Sequence, residues 1–204
     1  MYRWLALALL LAACKVEKLP PAGPSSDDFD RADIGSGWIA PGGGKWRIVD
    51  GAVTIDHAYN RPLWLAQPIP EDAVIEFDCW SNDPAGDLKV EIWGDGKSWA
   101  QTLDYVSTSY VFIFGGWHNT ISAITRLEEH GHDRKTRGDA RVELGRHYHW
   151  RIARKGGHID WQVDGKPFLT YDDREPLTGS DHRFFAFNDW EAELHFDNLK
   201  ITPQ

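Results

Sequence analysis

Trp46-Arg47-Ile48-Val49-Asp50-Gly51-Ala52-Val53-Thr54-Ile55-Asp56 is two short β-rich runs joined by Asp-Gly, a pair suited to the left-handed positions of a two-residue hairpin turn. The same grammar recurs outward from it. Val74 to Trp80 and Leu88 to Trp93 alternate apolar and polar residues, the latter closed by Gly94-Asp95-Gly96. Tyr110 to Phe114 is apolar on both faces, as a central strand is. Thr120 to Glu128 follows. His147 to Arg154, Gly156-Gly157 and His158 to Val163 form a second hairpin, and Asp164-Gly165 turns into Phe168 to Tyr171. Arg183 to Phe187 and Ala192 to Ile201 close the chain. No long stretch has a helical period. At least ten short strands separated by turn residues predict an all-β, two-sheet antiparallel sandwich. Glu129 to Ala140, charged and punctuated by glycine, reads as a loop or lid.

The N-terminus reads differently. Arg3 precedes an unbroken apolar run from Leu5 to Ala13, followed by Cys14. A positive start, a short apolar stretch and small residues before a cut mark a secretory signal peptide, and the run is too short to span a bilayer. Leu11-Ala12-Ala13-Cys14 resembles the bacterial lipobox. That resemblance implies cleavage before Cys14, lipid on its thiol and attachment to a membrane; with Lys15 rather than aspartate next, the outer membrane is the expected address. Residues 14–27, with Pro20, Pro21, Pro24, Ser25 and Ser26, read as a tether. Residues 28–204 are the expected sandwich domain.

The 204-residue chain has a formal charge of -9 and no basic stripe, which argues against nucleic acid as a partner. Cys14 and Cys79 are its two cysteines; with Cys14 lipidated, no internal disulfide forms. Cys79, between Phe77 and Trp80 in an apolar stretch, reads as a buried, inert thiol. Eleven tryptophans serve either a sandwich core or the stacking of sugar rings.

Phe29-Asp30, the Trp46–Val53 hairpin and the terminal Phe196-Asp197-Asn198-Leu199-Lys200-Ile201 together resemble the concanavalin A-like lectin/glucanase superfamily. Phe114 to Gly131 (FGGWHNTISAITRLEEHG) looks like a bacterial branch of it found among polysaccharide-utilisation proteins. The resemblance implies a jelly-roll sandwich with a carbohydrate ligand on a concave sheet. It also implies a structural calcium between the terminal strands, for which Asp28, Asp30 and Asp197 are the candidate ligands. Two enzyme patterns on this fold fail. The laminarinase-like Glu-x-Asp-x-x-Glu begins at Glu76-Phe77-Asp78 but has Ser81 where the second glutamate belongs. The Gln-Ile-His motif of jelly-roll alginate lyases is missing.

Strand alternation gives candidate site faces. One carries Glu76, Asp78 and Trp80; a second carries Lys89, Glu91 and Trp93; a third carries Ser122, Ile124, Arg126, Glu128 and His130. Wet faces show polar residues in any sandwich, but tryptophan on such a face is either covered or a stacking platform. Trp117-His118-Asn119 follows Gly115-Gly116 at a strand end, where function often sits. Ligand binding therefore falls to Glu76, Asp78, Trp93, Trp117, His118, Asn119 and Arg126. Arg126 is the candidate anchor for Glu91, and Glu91, Glu128 and His130 are the acid–base candidates if the protein is an enzyme. His130-Gly131-His132-Asp133 fits no zinc spacing. His147 and His149 share a strand face without an acidic partner nearby in sequence. Three functions stay open: a lipid-anchored carbohydrate binder, a glycan hydrolase or lyase using the same face, and an envelope scaffold.

Overall fold

The computed structural model describes residues 21–204; Cys14 and the segment before it lie outside them. Fifteen strands form among the described residues: β1 Ser25–Asp27, β2 Trp38–Ile39, β3 Arg47–Val49, β4 Ala52–Asp56, β5 Leu63–Leu65, β6 Ala73–Ser81, β7 Leu88–Gly94, β8 Tyr110–Gly115, β9 Ile121–Arg126, β10 Lys135–Arg137, β11 Tyr148–Lys155, β12 His158–Val163, β13 Lys166–Asp172, β14 Phe184–Asn188 and β15 Glu193–Pro203. They make two antiparallel sheets. The first runs β13-β12-β11-β6-β15-β4-β3, with β1 also on β15; the second runs β10-β9-β8-β7-β14-β5-β2. This is the expected jelly-roll sandwich.

The hairpins form where the turn chemistry predicts. Asp50 and Gly51 have φ of 51° and 78°, and Asp164 and Gly165 have 53° and 71°, both left-handed at both turn positions. Two details depart from the sequence reading. The sheet begins at Ser25, within the expected tether, because β1 pairs with Leu199–Ile201 of β15. The loop 129–140 contributes the edge strand β10, paired with Ser122–Ile124.

Between the sheets lies one core. β6 alternates as read: Ile75, Phe77 and Cys79 are fully buried, while Glu76, Asp78 and Trp80 point outward. Phe77 meets Trp150, Phe185, Phe187 and Phe196 edge-on or tilted at 5.3–6.4 Å between centroids. Such geometry suits the ring quadrupole. β7 and β8 are buried along their whole length. Their inner face meets the core, and their outer face is covered by loops. That covering creates the site.

Candidate functional site

The outer face of the second sheet carries Lys89 and Glu91 from β7. They sit opposite Ile113 and Val111 of β8 and Asn188 and Ala186 of β14. Loops from 57–60, 85–87, 100–107, 117–119, 128–130 and 189–191 wall this face and leave a cleft of about 350 Å³ lined by Asn60, Asp87, Lys89, Leu103, Ile113, Trp117, His118, Glu129, His130, Trp190 and Glu191, among others. The size falls within the range of small-ligand sites.

Its floor is an ion pair. The Lys89 ammonium donates to Glu129 Oε1 at 3.0 Å and to Asn60 Oδ1 at 3.0 Å. Burial pulls against its charge, but the attraction of Glu129 and Asp87 outweighs that, so it stays protonated far above its ordinary range. Asp87 accepts the Trp190 backbone N–H at 3.1 Å; desolvation pushes its carboxyl up to about 6 against the pull of Lys89. Asn60 is held by the 189–190 segment through its N–H to Asp189 O at 2.8 Å, and it also accepts from Asn188 at 3.2 Å. Asp189 receives the Ala58 and Ala192 N–H groups and is pushed by burial up to about 7.

Two indoles flank this floor. Trp190 packs edge-on to Tyr59 at 5.2 Å. Trp117 sits 5.7 Å from the His130 ring and under the Arg134 guanidinium at 5.1 Å. Trp117, His118 and Asn119 all have left-handed φ, 52° to 59°. Successive non-glycine residues in that region cost roughly 1–2 kcal/mol each, and such strain persists only where the surroundings enforce it. Here Asn119 enforces it: its amide donates to Val142 O and accepts from Val142 N, both at 2.8 Å. Gly115 makes the approach feasible, since a Cβ there would lie 2.4 Å from Asn119 Oδ1.

The structure thus brings Trp117, His118 and His130 to one cleft. Asn119 serves as the clamp of the turn, not as a wall. Glu128 is exposed and lines an adjoining depression with Tyr105 and Val106. Leu127, at φ 65°, ends the regular backbone of β9, and Glu129 rather than Glu128 reaches Lys89.

Other expectations are corrected. Glu91 lies under the loops with no exposed surface. Its carboxylate accepts from Ser107 at 2.6 Å, Ser109 at 2.7 Å, Tyr105 at 3.3 Å and Asn188 at 2.8 Å, so its lone pairs are taken up internally. Trp93 leaves the Lys89–Glu91 face. It sits in a register break opposite Phe184 and Phe185, with φ 58°, and enters the core, its indole donating to Pro70 O at 3.2 Å. β9 is read one residue out of phase: Ile124 packs in the core, while Ala123 and Thr125 pair with the outward Ile113 and Val111. Arg126 therefore points away from Glu91, and it binds Asp173 at 2.9 Å and Glu175 O at 3.1 Å.

Glu76 and Asp78 occupy the outer face of the first sheet, across the core from the cleft. There they meet His149, with Asp78 at 2.8 Å and Glu76 at 3.8 Å; the acidic partners missing from the sequence neighbourhood of His149 arrive from β6. Trp80 is covered on both faces by His147 at 3.9 Å and His195 at 4.8 Å. Near the terminal strands, Asp28 lines a shallow depression with Ser26 and Asn198 and receives the Asp30 N–H, while Asp197 is raised by burial and by repulsion from Asp78 and Asp28. Among the described residues no three or more His, Cys, Asp or Glu side chains gather as a metal-holding group, Asp28, Asp30 and Asp197 included.

Asp87, Glu129, Asn60 and Trp190 were missed by sequence reasoning. Gly86-Asp87 and Asn188-Asp189-Trp190, polar residues abutting apolar strands, were the available signals.

The two-sheet antiparallel architecture is shared with solved structures. The chain matches a carbohydrate-binding module, CBM66, from Bacillus subtilis with a TM-score of 0.62 at 13% identity, covering 81% of this chain and 95% of that one. It matches a Bacillus licheniformis β-glucanase with a TM-score of 0.64 at 12% identity, covering 91% and 100%. A Bacillus subtilis protein described as of unknown function with a galectin-like fold gives 0.61 at 11%, covering 89% and 96%. The fold is that of the concanavalin A-like sandwiches. At these identities the likeness is one of architecture. No protein-family model and no curated protein matches the chain. Within the concanavalin A-like fold, the first sheet carries the paired His149 and Asp78 and the second carries the cleft.

Proposed function

We propose that the protein binds carbohydrate in the cleft over β7, between Trp117 and Trp190. The observation that carries this reading is the pairing of two half-buried indoles with a polar floor of Lys89, Glu129, Asp87 and Asn60. Aromatic surface in the lining together with hydrogen-bonding groups matches the amphipathic surface of a sugar ring. Solved proteins of the same fold that are described as a carbohydrate-binding module and a glucanase support it. The lipobox-like Leu11-Ala12-Ala13-Cys14 supports a further proposal, that lipid on Cys14 holds this domain at the cell envelope, at the outer membrane. The test is titration against a panel of plant, algal and microbial polysaccharides, followed by Trp117→Ala and Trp190→Ala. Central aromatic anchors are worth enough that each variant should weaken binding at least about tenfold. Binding that is absent from the whole panel, or unchanged in both variants, sinks the reading.

A second reading is favoured by one observation. Asp87, raised to about 6, lies on the same cleft as Glu129, which fits an acid working near neutral pH. A glycan-active enzyme would then use Asp87 and Glu129, with His118 and His130 at the rim, rather than the buried Glu91. Release of reducing ends or unsaturated products by the wild type, lost in Asp87→Asn with binding retained, would establish it; binding without any product excludes it.

A further inference from the structure

The charge of the cleft narrows the chemistry of its ligand, an inference that rests on the carbohydrate reading above. Three carboxylates line it, Asp87, Glu129 and Glu191, against one ammonium, Lys89. That ammonium is committed internally, with two of its three N–H groups on Glu129 and Asn60. The carboxyls feel one another: Asp87 is raised in part by Glu129 and Glu191. Asp189, buried behind the wall, adds a further acidic group.

No arginine is among the residues that line the cleft. Arg134 lies on the Trp117 ring and donates to Glu129 O at 3.1 Å. Arg126 is bound to Asp173 and Glu175 on the inner row of its strand. A carboxylate or sulfate on a sugar is recognised by a free guanidinium fork or ammonium, and the lining supplies no guanidinium and one ammonium already paired with Glu129.

The hydrogen-bonding character points the same way. A carboxylate offers about four lone-pair sites. Asp87 uses one on Trp190 N–H, and the Glu129 carboxylate uses one on Lys89. Beneath the imidazoles of His118 and His130 at the rim, the Asp87 and Glu129 carboxylates thus leave the floor rich in acceptors, and it suits a ligand whose exposed groups are hydroxyl donors.

We infer that the cleft selects a neutral glycan, one whose sugars carry hydroxyls but no carboxylate or sulfate, and disfavours anionic polysaccharides. The wild-type protein is screened on neutral, uronate-containing and sulfated polysaccharides at low and moderate salt. The tightest neutral binder is then compared with the same polysaccharide after its primary alcohols have been oxidised to carboxylates. Oxidation should weaken binding at least about tenfold, since like charges brought together at a partly desolvated site cost more than one factor of ten. Added salt should narrow the gap, as should Glu191→Gln. Hits confined to uronate or sulfated chains, or equal binding before and after oxidation, overturn the neutral-ligand inference while leaving the carbohydrate reading intact, provided Trp117→Ala abolishes that binding. No binding to any chain overturns both.

Discussion

Lys89 on β7 and Glu129 in the turn after β9 form an ion pair at 3.0 Å, with side chains 2% and 14% exposed. The pair ties the floor of the cleft to one of its walls. Desolvated pairs are unforgiving when one member is lost, at a cost of about 3–5 kcal/mol, and here Asp87 and Asn60, which also hold Lys89, place the cost at the lower end of that range. Glu129→Ala should therefore lower the urea-unfolding free energy by about that amount. The double variant Lys89→Met/Glu129→Met, which removes both members of the pair, should be closer to wild type than Glu129→Ala is, most clearly below about pH 6, where Asp87 is protonated. If the double variant is as unstable as the two single losses added together, the pair is not the coupled unit described.

Asn119 is predicted to act on the ligand only through the turn it holds. Its reciprocal bonds to the Val142 backbone keep Trp117 and His118 in left-handed conformation. Asn119→Ala removes both bonds and leaves a strained residue without a side chain suited to that region, so a loss of about 2 kcal/mol is expected from thermal unfolding. Weakened glycan binding should accompany it. Asn119→Gly, which relieves the backbone strain, should recover part of the stability and little of the binding. Equal recovery of both would mean that the amide does not position Trp117.

The sheets were legible because turn pairs such as Asp50-Gly51 and Asp164-Gly165 and the alternation of β6 each have one physical solution. The faces of β7 and β9 were less so. Alternation assigns faces only while the strand stays regular, and a single irregular residue inverts everything beyond it. Trp93 sits in such an irregularity, which turned a candidate platform into a core residue. Leu127 sits in another, just beyond β9. In β9 the apolar residues Ile121, Ala123, Ile124 and Leu127 fit either phase; β8 decides it, because Ile124 pairs with the core residue Phe112. Trp117 and His118 were found because they sit on a loop at a strand end; His130 was reached by carrying the alternation of β9 past its end, on a phase that the structure shifts by one residue. Asn60 and Trp190 were not, since their meeting depends on backbone bonds between segments about 130 residues apart, such as Tyr59 N–H to Trp190 O at 2.9 Å.

Cys79 should be silent to thiol reagents in the folded protein. It is fully buried, and desolvation pushes its thiol pKa well up, so the reactive thiolate is both rare and out of reach. With Cys14 lipidated, the mature protein should show no thiol titratable by a chromogenic disulfide under native conditions and one after denaturation. Cys14→Ser should abolish incorporation of labelled palmitate and release the domain from the membrane fraction. Two thiols in the denatured wild type isolated from cells would contradict the lipid anchor.

Buried carboxyls should make the protein less stable as pH rises. Glu91, without exposed surface, is pushed by desolvation up to about 7 even though Ser107 and Ser109 donate to it; its ordinary value is near 4.5. A folded-state pKa above the unfolded one means that the native protein binds more protons between the two values. The stabilisation is therefore complete below pH ~4.5 and is lost as pH climbs through about 7. At about 1.36 kcal/mol for each unit, the contribution of Glu91 is on the order of 3 kcal/mol. Asp189, raised to about 7, and Asp87, raised to about 6, act in the same direction. Urea-unfolding free energies measured from pH 4.5 to 8 should decline across this window, against the usual acid-side loss from ion-paired groups such as Asp173 beside Arg126, whose carboxyl is held low. Glu91→Gln keeps the shape of the side chain and an acceptor for the serines but cannot ionise. It should flatten the decline, and an unaltered slope in that variant would remove Glu91 as its source.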